Sequence, residues 1–205
     1  RAIAQHCWDN GLQLCVHAIG DRANRETINI FAEQIAKDTT RNHRWRVEHA
    51  QHVHPSEIPR FAQWGIIASM QGIHCTSDAP YVPKRLGEER SRTGAYMWKG
   101  FLDAGVIVNN GTDVPVEDAD PIANFYSTVT RKTKDGSAFY PAQSMTREQA
   151  IYSYTMANAL AGIELLAVKA GYADSFLPAM LQGVEAQRGV GGGIRCPVDA
   201  EQRAL

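Results

Sequence analysis

The sequence predicts an α/β fold built of parallel β–α–β units, equivalent to about half of a TIM-type (β/α)8 barrel. Three observations lead to this prediction. Four short apolar runs, beginning near residues 12, 45, 66 and 106, have the length of buried strands. Each run is followed by a segment of helical character. Each run also leads into a histidine or an aspartate, and barrels of this type carry functional groups where strands end.

The first two units occupy the amino-terminal third of the chain. Residues 12–16 form the first predicted strand, and its mostly apolar side chains predict burial on both faces. A helix is predicted over 21–37, where apolar residues recur near the 3.6-residue period. The second predicted strand covers 45–50, and a short helix over 56–64 ends at Gly65.

The last two units are separated by a long polar stretch. Residues 76–93 contain Pro80, Pro83 and Gly87 and predict a functional or mobile loop, because long structureless loops are uncommon in compact domains. The remaining predicted elements are strands over 66–70 and 106–109 and helices over 96–104, 122–131 and 144–160.

The two ends of the chain predict a fragment of a larger protein. The chain opens at Arg1 with a helix that Gly11 ends, and a domain seldom begins partway through a helix. From about residue 182 the sequence is glycine-rich and has no clear periodicity. We therefore assign residues 1–165 to the half-barrel and residues 166–205 to an irregular carboxyl-terminal tail.

Composition excludes several classes of function. The apolar fraction of 44%, the charged fraction of 21% and the net charge of −1 are those of an ordinary globular protein, with no basic patch for nucleic acid or membranes. No apolar run approaches the length of a membrane span. The four cysteines lie far apart without CxxC spacing, which favours reduced thiols and a cytoplasmic location.

The candidate chemistry lies where the predicted strands end, at His17, His49, His74 and Asp113. Imidazole and carboxylate groups bind Zn²⁺ and similar divalent ions, and such a site activates water when one coordination position is open. A carboxylate at its rim can also accept the proton of the attacking water. On this pattern alone the alternative stays open, because single histidines after strands are often structural and an aspartate after Gly-Thr often caps a turn.

Two further histidines follow the second strand. His52 and His54 lie beyond the strand end, in a loop that continues into Pro55. We interpret both as solvated or capping residues.

Several motifs resemble the amidohydrolase superfamily. They are VHAIGDRA at 16–23, RVEHAQ at 46–51, ASMQ at 68–71 with His74, GTDVP at 111–115 and MTREQA at 145–150. They occur in the order found in the amidohydrolase-3 type, the branch that includes N-substituted formamide deformylase. The resemblance covers about residues 11–161.

This resemblance implies a metal site in the second half of a TIM-like barrel that holds one or two divalent ions, of which zinc is typical. His17 and His49 correspond to metal ligands after strands five and six. Asp113 corresponds to the strand-eight aspartate, which binds metal and acts as general base, and His74 and Gln71 correspond to substrate-facing residues after strand seven. The implied reaction is metal-dependent hydrolysis of a carbon–nitrogen bond other than a peptide bond, in a small N-acyl or N-formyl amide.

The sequence also departs from the family pattern. The family has a His-x-His pair after strand one and an acidic or modified lysine ligand near strand four, and neither can be placed here. His52 and His54 have the spacing of such a pair, but they follow the wrong strand. The family's closing segment is echoed only at 169–174. We therefore expect the chain alone to be inactive.

Two other hypotheses stay open. The chain could be a non-catalytic or regulatory binding protein on a degenerate barrel, since fold alone does not fix function. It could also be a parallel-sheet protein whose histidines are structural.

Overall fold

The sheet has four parallel strands. The computed structural model describes residues 1–162, and the strands are β1 (Cys15–Ala18), β2 (Arg46–His49), β3 (Ile67–Gln71) and β4 (Val108–Gly111). They pair in the order β1-β2-β3-β4, each parallel to its neighbour. Parallel neighbours require crossover connections, and helices fill each of them. The predicted alternation of parallel strands and helices is confirmed.

Ten α-helices surround or precede these strands in the described residues. They are α1 (Ala2–Asp9), α2 (Asp21–Ile35), α3 (Ile58–Gln63), α4 (Gly72–Asp78), α5 (Val82–Leu86), α6 (Glu88–Gly94), α7 (Trp98–Asp103), α8 (Pro121–Thr130), α9 (Arg147–Tyr154) and α10 (Met156–Gly162). Short 3₁₀ helices cover Pro55–Glu57 and Pro141–Gln143.

One face of the sheet forms the apolar core. Val47, Ala68 and Val108 occupy paired positions on β2, β3 and β4, and all three are buried. They belong to one cluster with aromatic side chains from the helices, including Phe31 and Phe61. Burial of such side chains is worth about 1.5–3 kcal/mol each, so this face supplies much of the stability of the fold.

The other face of the sheet carries a row of polar residues. His17, Glu48, Ser69 and Asn109 are paired across the four strands. The Asn109 side-chain amide donates to Ser69 Oγ at 3.2 Å and to Asn158 Oδ1 of α10 at 2.9 Å. His17 is exposed. These polar side chains therefore lie on one face of the sheet.

The prediction of a first strand at 12–16 with both faces buried is wrong. The strand is Cys15–Ala18, with Cys15 and His17 exposed and Ala18 buried. Side chains alternate between the two faces along a strand. Within residues 1–162, β1 pairs with β2 alone, so its polar-face residues have a neighbouring strand on one side only.

The prediction of a loop over 76–93 is also wrong, because α4, α5 and α6 occupy most of it. These helices have five to seven residues, too few to show helical periodicity. Pro83 lies within the first two positions of α5, where proline is tolerated, and Gly87 separates α5 from α6 with φ of 80°.

The helix predicted over 144–160 is divided. It becomes α9 and α10, and the break lies at Thr155, whose φ of −122° and ψ of −84° are not helical. The boundary at 165 and the tail at 166–205 lie outside the described residues. Within residues 1–162, no helix has the length and apolar character needed to cross a membrane.

Candidate active site

The predicted site residues lie at one end of the sheet. His49 and Gln71 are the last residues of β2 and β3, and Asp113 lies two residues beyond the end of β4. His17 is one residue before the end of β1, and His74 is in the first turn of α4. Parallel strands bring their carboxyl ends to one edge, so the topology gathers residues distant in sequence.

The histidines contact one another in a row. The ring centroids of His17 and His49 are 4.5 Å apart and the rings meet edge to face at 72°. The centroids of His49 and His74 are 5.9 Å apart. His49 is half-buried between an exposed His17 and a buried His74, so the row runs from the surface into the molecule.

The row ends at a carboxylate. His74 Nε2 lies 3.5 Å from Asp113 Oδ2. The His74 side chain is buried, and no hydrogen-bond partner for its Nε2 atom lies within residues 1–162. About a third of the Asp113 side chain is exposed, which leaves the carboxylate accessible to a small molecule.

Gln71 contacts the middle of the row. Its Oε1 atom lies 2.9 Å from His49 Nδ1, at hydrogen-bond distance. Gln71 is buried, as is the whole of β3. The five predicted site residues are therefore connected through a chain of direct contacts.

A second hydrogen-bond network, which the sequence did not indicate, connects Asp78, Gln51 and Tyr96. The Asp78 carboxylate accepts hydrogen bonds from Gln51 Nε2 and from the Tyr96 hydroxyl, both at 2.6 Å. The Tyr96 backbone N–H also donates to the Gln51 carbonyl at 2.8 Å. Burial, reinforced by the Asp78 carboxylate, raises the pKa of Tyr96 well above its usual value. No local pattern connects three residues so far apart, so sequence reasoning had no signal for them.

The two loop histidines differ from each other. His54 caps the 3₁₀ helix at Pro55–Glu57 by accepting from the Ser56 backbone N–H, which confirms its capping role. His52 is half-buried rather than fully solvated: its ring packs edge to face on Tyr96, with centroids 5.6 Å apart. Burial lowers the pKa of His52, against the opposing effect of Asp78.

The metal-binding capacity of the row is partial. His17 and His49 are adjacent imidazoles, the donor type that zinc prefers. However, no group of three or more histidine, cysteine, aspartate or glutamate side chains within residues 1–162 is arranged to hold an ion. The two imidazoles are thus donors of a type that suits a divalent cation, but the described residues hold no complete ligand group.

Comparison with known proteins identifies the family. The amidohydrolase family model matches residues 1–164 of the 205-residue chain. The chain belongs to the amidohydrolase family. The resemblance found in the sequence is therefore confirmed.

Curated relatives of this amidohydrolase chain cover a similar stretch. It is 35% identical to Protein LONG AFTER FAR-RED 3 of Arabidopsis thaliana over 153 residues, and 33% identical to amidohydrolase YtcJ of Bacillus subtilis over 154 residues. It is 26% identical to N-substituted formamide deformylase of Arthrobacter pascens over 147 residues. These matches cover 71–74% of the chain but only 26–28% of the relatives, so the chain spans about a quarter of their length.

A solved structure shows the same fold. An uncharacterized metal-dependent hydrolase from Pyrococcus furiosus matches with a TM-score of 0.66 and 29% identity, over 78% of this chain and 31% of that protein. The four-stranded parallel arrangement is thus that of part of a metal-dependent hydrolase. The family and this likeness do not favour the non-catalytic alternative.

Proposed function

We propose that this amidohydrolase chain forms part of a metal-dependent hydrolase that cleaves a non-peptide carbon–nitrogen bond in a small N-acyl or N-formyl amide. The observation that carries the proposal is the continuous row from His17 through His49 and His74 to Asp113 at the carboxyl ends of the strands. The metal-dependent hydrolase from Pyrococcus furiosus supports the metal, and the Arthrobacter pascens deformylase supports the bond type.

In this proposal His17, His49 and Asp113 bind one or two divalent ions, with zinc the expected metal. The imidazoles of His17 and His49 are in contact with each other, whereas Asp113 contacts the row at His74. Since residues 1–162 hold no complete ligand group, further ligands come from elsewhere in the protein or from water. The bound ion would supply an acidified water and polarise the amide carbonyl.

Asp113 is the proposed general base. Its carboxylate is accessible, and its backbone lies in the left-handed region at φ of 59°, which aspartate tolerates better than most residues. It would take a proton from the attacking water and return it to the leaving nitrogen, as a positioned carboxylate can. Beside it, His74 Nε2 is buried, faces Asp113 Oδ2 at 3.5 Å and has no hydrogen-bond partner within residues 1–162. We propose His74 and Gln71 as substrate-facing residues.

We also propose that the sheet is half of a (β/α)8 barrel, equivalent to strands five to eight. In the described residues β1 and β4 each pair with a single strand. An apolar groove of about 150 Å³ beside β1 is lined by residues such as Leu14, Val16 and Ile30. Ile3 also lines this groove and is 73% exposed. A further layer of secondary structure packed against the groove would cover Ile3.

The test is metal content and amide hydrolysis in His17→Ala and His49→Ala variants, with His6→Ala as control. His6 is exposed on α1, away from the row. The assay uses the whole hydrolase of which this chain forms part, because we expect the chain alone to be inactive. We expect the wild-type protein and the control to bind a divalent ion and to hydrolyse N-formyl amides, and both row variants to lose ion and activity together. Unchanged metal content in the row variants would show instead that the histidines are structural.

A further inference from the structure

The hydrogen bond between Gln71 and His49 determines which nitrogen of His49 carries the proton. The Gln71 atom at 2.9 Å from His49 Nδ1 is the side-chain carbonyl oxygen, which can only accept. With the amide in this orientation, a hydrogen bond at this distance requires His49 Nδ1 to carry the hydrogen and donate it. In the neutral ring the remaining lone pair is then on Nε2, the form in which an imidazole binds a metal through that atom.

The position of Gln71 is fixed by tight packing around it. Its backbone is paired with Gly111 in the β3–β4 ladder, and its side chain is buried. The next residue, Gly72, lies so close to α8 that an added Cβ would overlap Thr128 Oγ1 and the Asn124 carbonyl oxygen. Because the backbone cannot shift at this point, the Gln71 side chain starts from a fixed position beside His49.

We propose that Gln71 is a positioning residue that holds His49 in the Nδ1–H tautomer and fixes the orientation of its ring toward a divalent cation. This inference rests on the proposed function, in which His49 is a metal ligand. Histidine ligands usually donate their second N–H to an acceptor that orients the ring, and loss of that acceptor lowers metal affinity or activity about 10- to 100-fold. His49 contacts the side-chain oxygen of Gln71 and not its nitrogen. The nitrogen can therefore contact substrate while the oxygen holds His49.

The test compares Gln71→Leu, which removes the acceptor at similar size, with Gln71→Glu, which keeps an acceptor oxygen. Affinity for Zn²⁺ alone is measured by equilibrium dialysis, and KM and kcat are measured separately. We expect Gln71→Leu to bind Zn²⁺ about 10- to 100-fold more weakly and Gln71→Glu to stay within about threefold of wild type. A Gln71→Leu variant with unchanged Zn²⁺ affinity and a raised KM would reduce Gln71 to a substrate contact and overturn the proposal.

A second readout separates this inference from the proposed function. The ¹⁵N chemical shifts of the His49 ring report its tautomer in the metal-free wild-type protein, whether or not any variant folds. We expect Nδ1–H in the wild type and a mixture of tautomers in Gln71→Leu. An Nε2–H ring in the wild type would overturn the positioning role, whereas Zn²⁺ affinity unaffected by His49→Ala would overturn the metal site itself.

Discussion

Two residues of the candidate site, and the residue that follows one of them, hold their backbone in the left-handed region. They are His49 at φ of 75°, Ala50 at 44° and Asp113 at 59°. Such conformations cost a non-glycine residue about 1–3 kcal/mol, and they persist only where contacts with the surrounding structure hold them in place. At His49 these surroundings include the bond to Gln71 and, two residues later, the bond from Gln51 to Asp78. Two of the seven non-glycine residues with positive φ in the described part of the chain, His49 and Asp113, thus carry the proposed chemistry.

Replacing Asp113 by Asn should remove the general base while keeping the fold. Asparagine has nearly the same shape and tolerates the left-handed backbone that Asp113 adopts. We expect kcat to fall about 10²- to 10⁴-fold, with the thermal unfolding midpoint close to that of the wild type. Steady-state kinetics and a melting curve measure both. An Asp113→Asn variant with wild-type kcat would exclude this carboxylate from proton transfer.

Helix α4 connects the candidate site to the core. Its first turn carries His74, and its last residue, Asp78, binds Gln51 from the loop after β2 and Tyr96 from the segment before α7. Tyr96 is itself held by the buried Arg131, whose guanidinium donates to the Tyr96 carbonyl at 2.9 Å. One short helix thus links the loop after β2 to the segment before α7.

The Tyr96 hydroxyl should stabilise this arrangement in a pH-dependent way. Tyr96→Phe removes one hydrogen bond to a carboxylate, and we expect the free energy of unfolding at pH 8 to fall by about 1–3 kcal/mol. Because the pKa of Tyr96 is raised in the folded protein, its contribution is complete below the unfolded pKa of about 10 and is lost as the pH rises above it. The additional loss of stability above pH 10 should therefore be smaller in the variant.

Urea unfolding at pH 8 and above pH 10 tests both statements. Tyr81→Phe is the matched control, because Tyr81 is 61% exposed and its change should stay within about 0.5 kcal/mol. Equal stability of Tyr96→Phe and Tyr81→Phe at pH 8 would show that the bond to Asp78 contributes nothing.

For the molecule as a whole, the sequence predicts the repeating strands and helices better than it predicts the segments that connect them. Apolar runs and glycine boundaries placed all four strands within three residues of their observed limits, and strand ends brought His17, His49 and Asp113 into one region. The helices between β3 and α7 were missed because each has too few residues to show a period. The contact of Asp78 with Tyr96 was missed because only tertiary packing brings these residues together.

The contacts within the site were also beyond sequence reasoning. The residue types at strand ends indicate metal chemistry, but they do not show that His74 lies between His49 and Asp113 or that Gln71 binds His49. Such details depend on where α4 begins relative to the sheet. The buried turn at Gly72 sets this, and its packing against α8 is a long-range contact.

The most direct test of the metal-dependent hydrolase is anomalous diffraction at the zinc absorption edge, from crystals of the protein grown with Zn²⁺. We expect an anomalous peak about 2.0–2.1 Å from an imidazole nitrogen of both His17 and His49, the usual distance of a zinc–histidine bond. Zinc bound only elsewhere, with both imidazoles free of metal, would show that this row of histidines is not the metal centre.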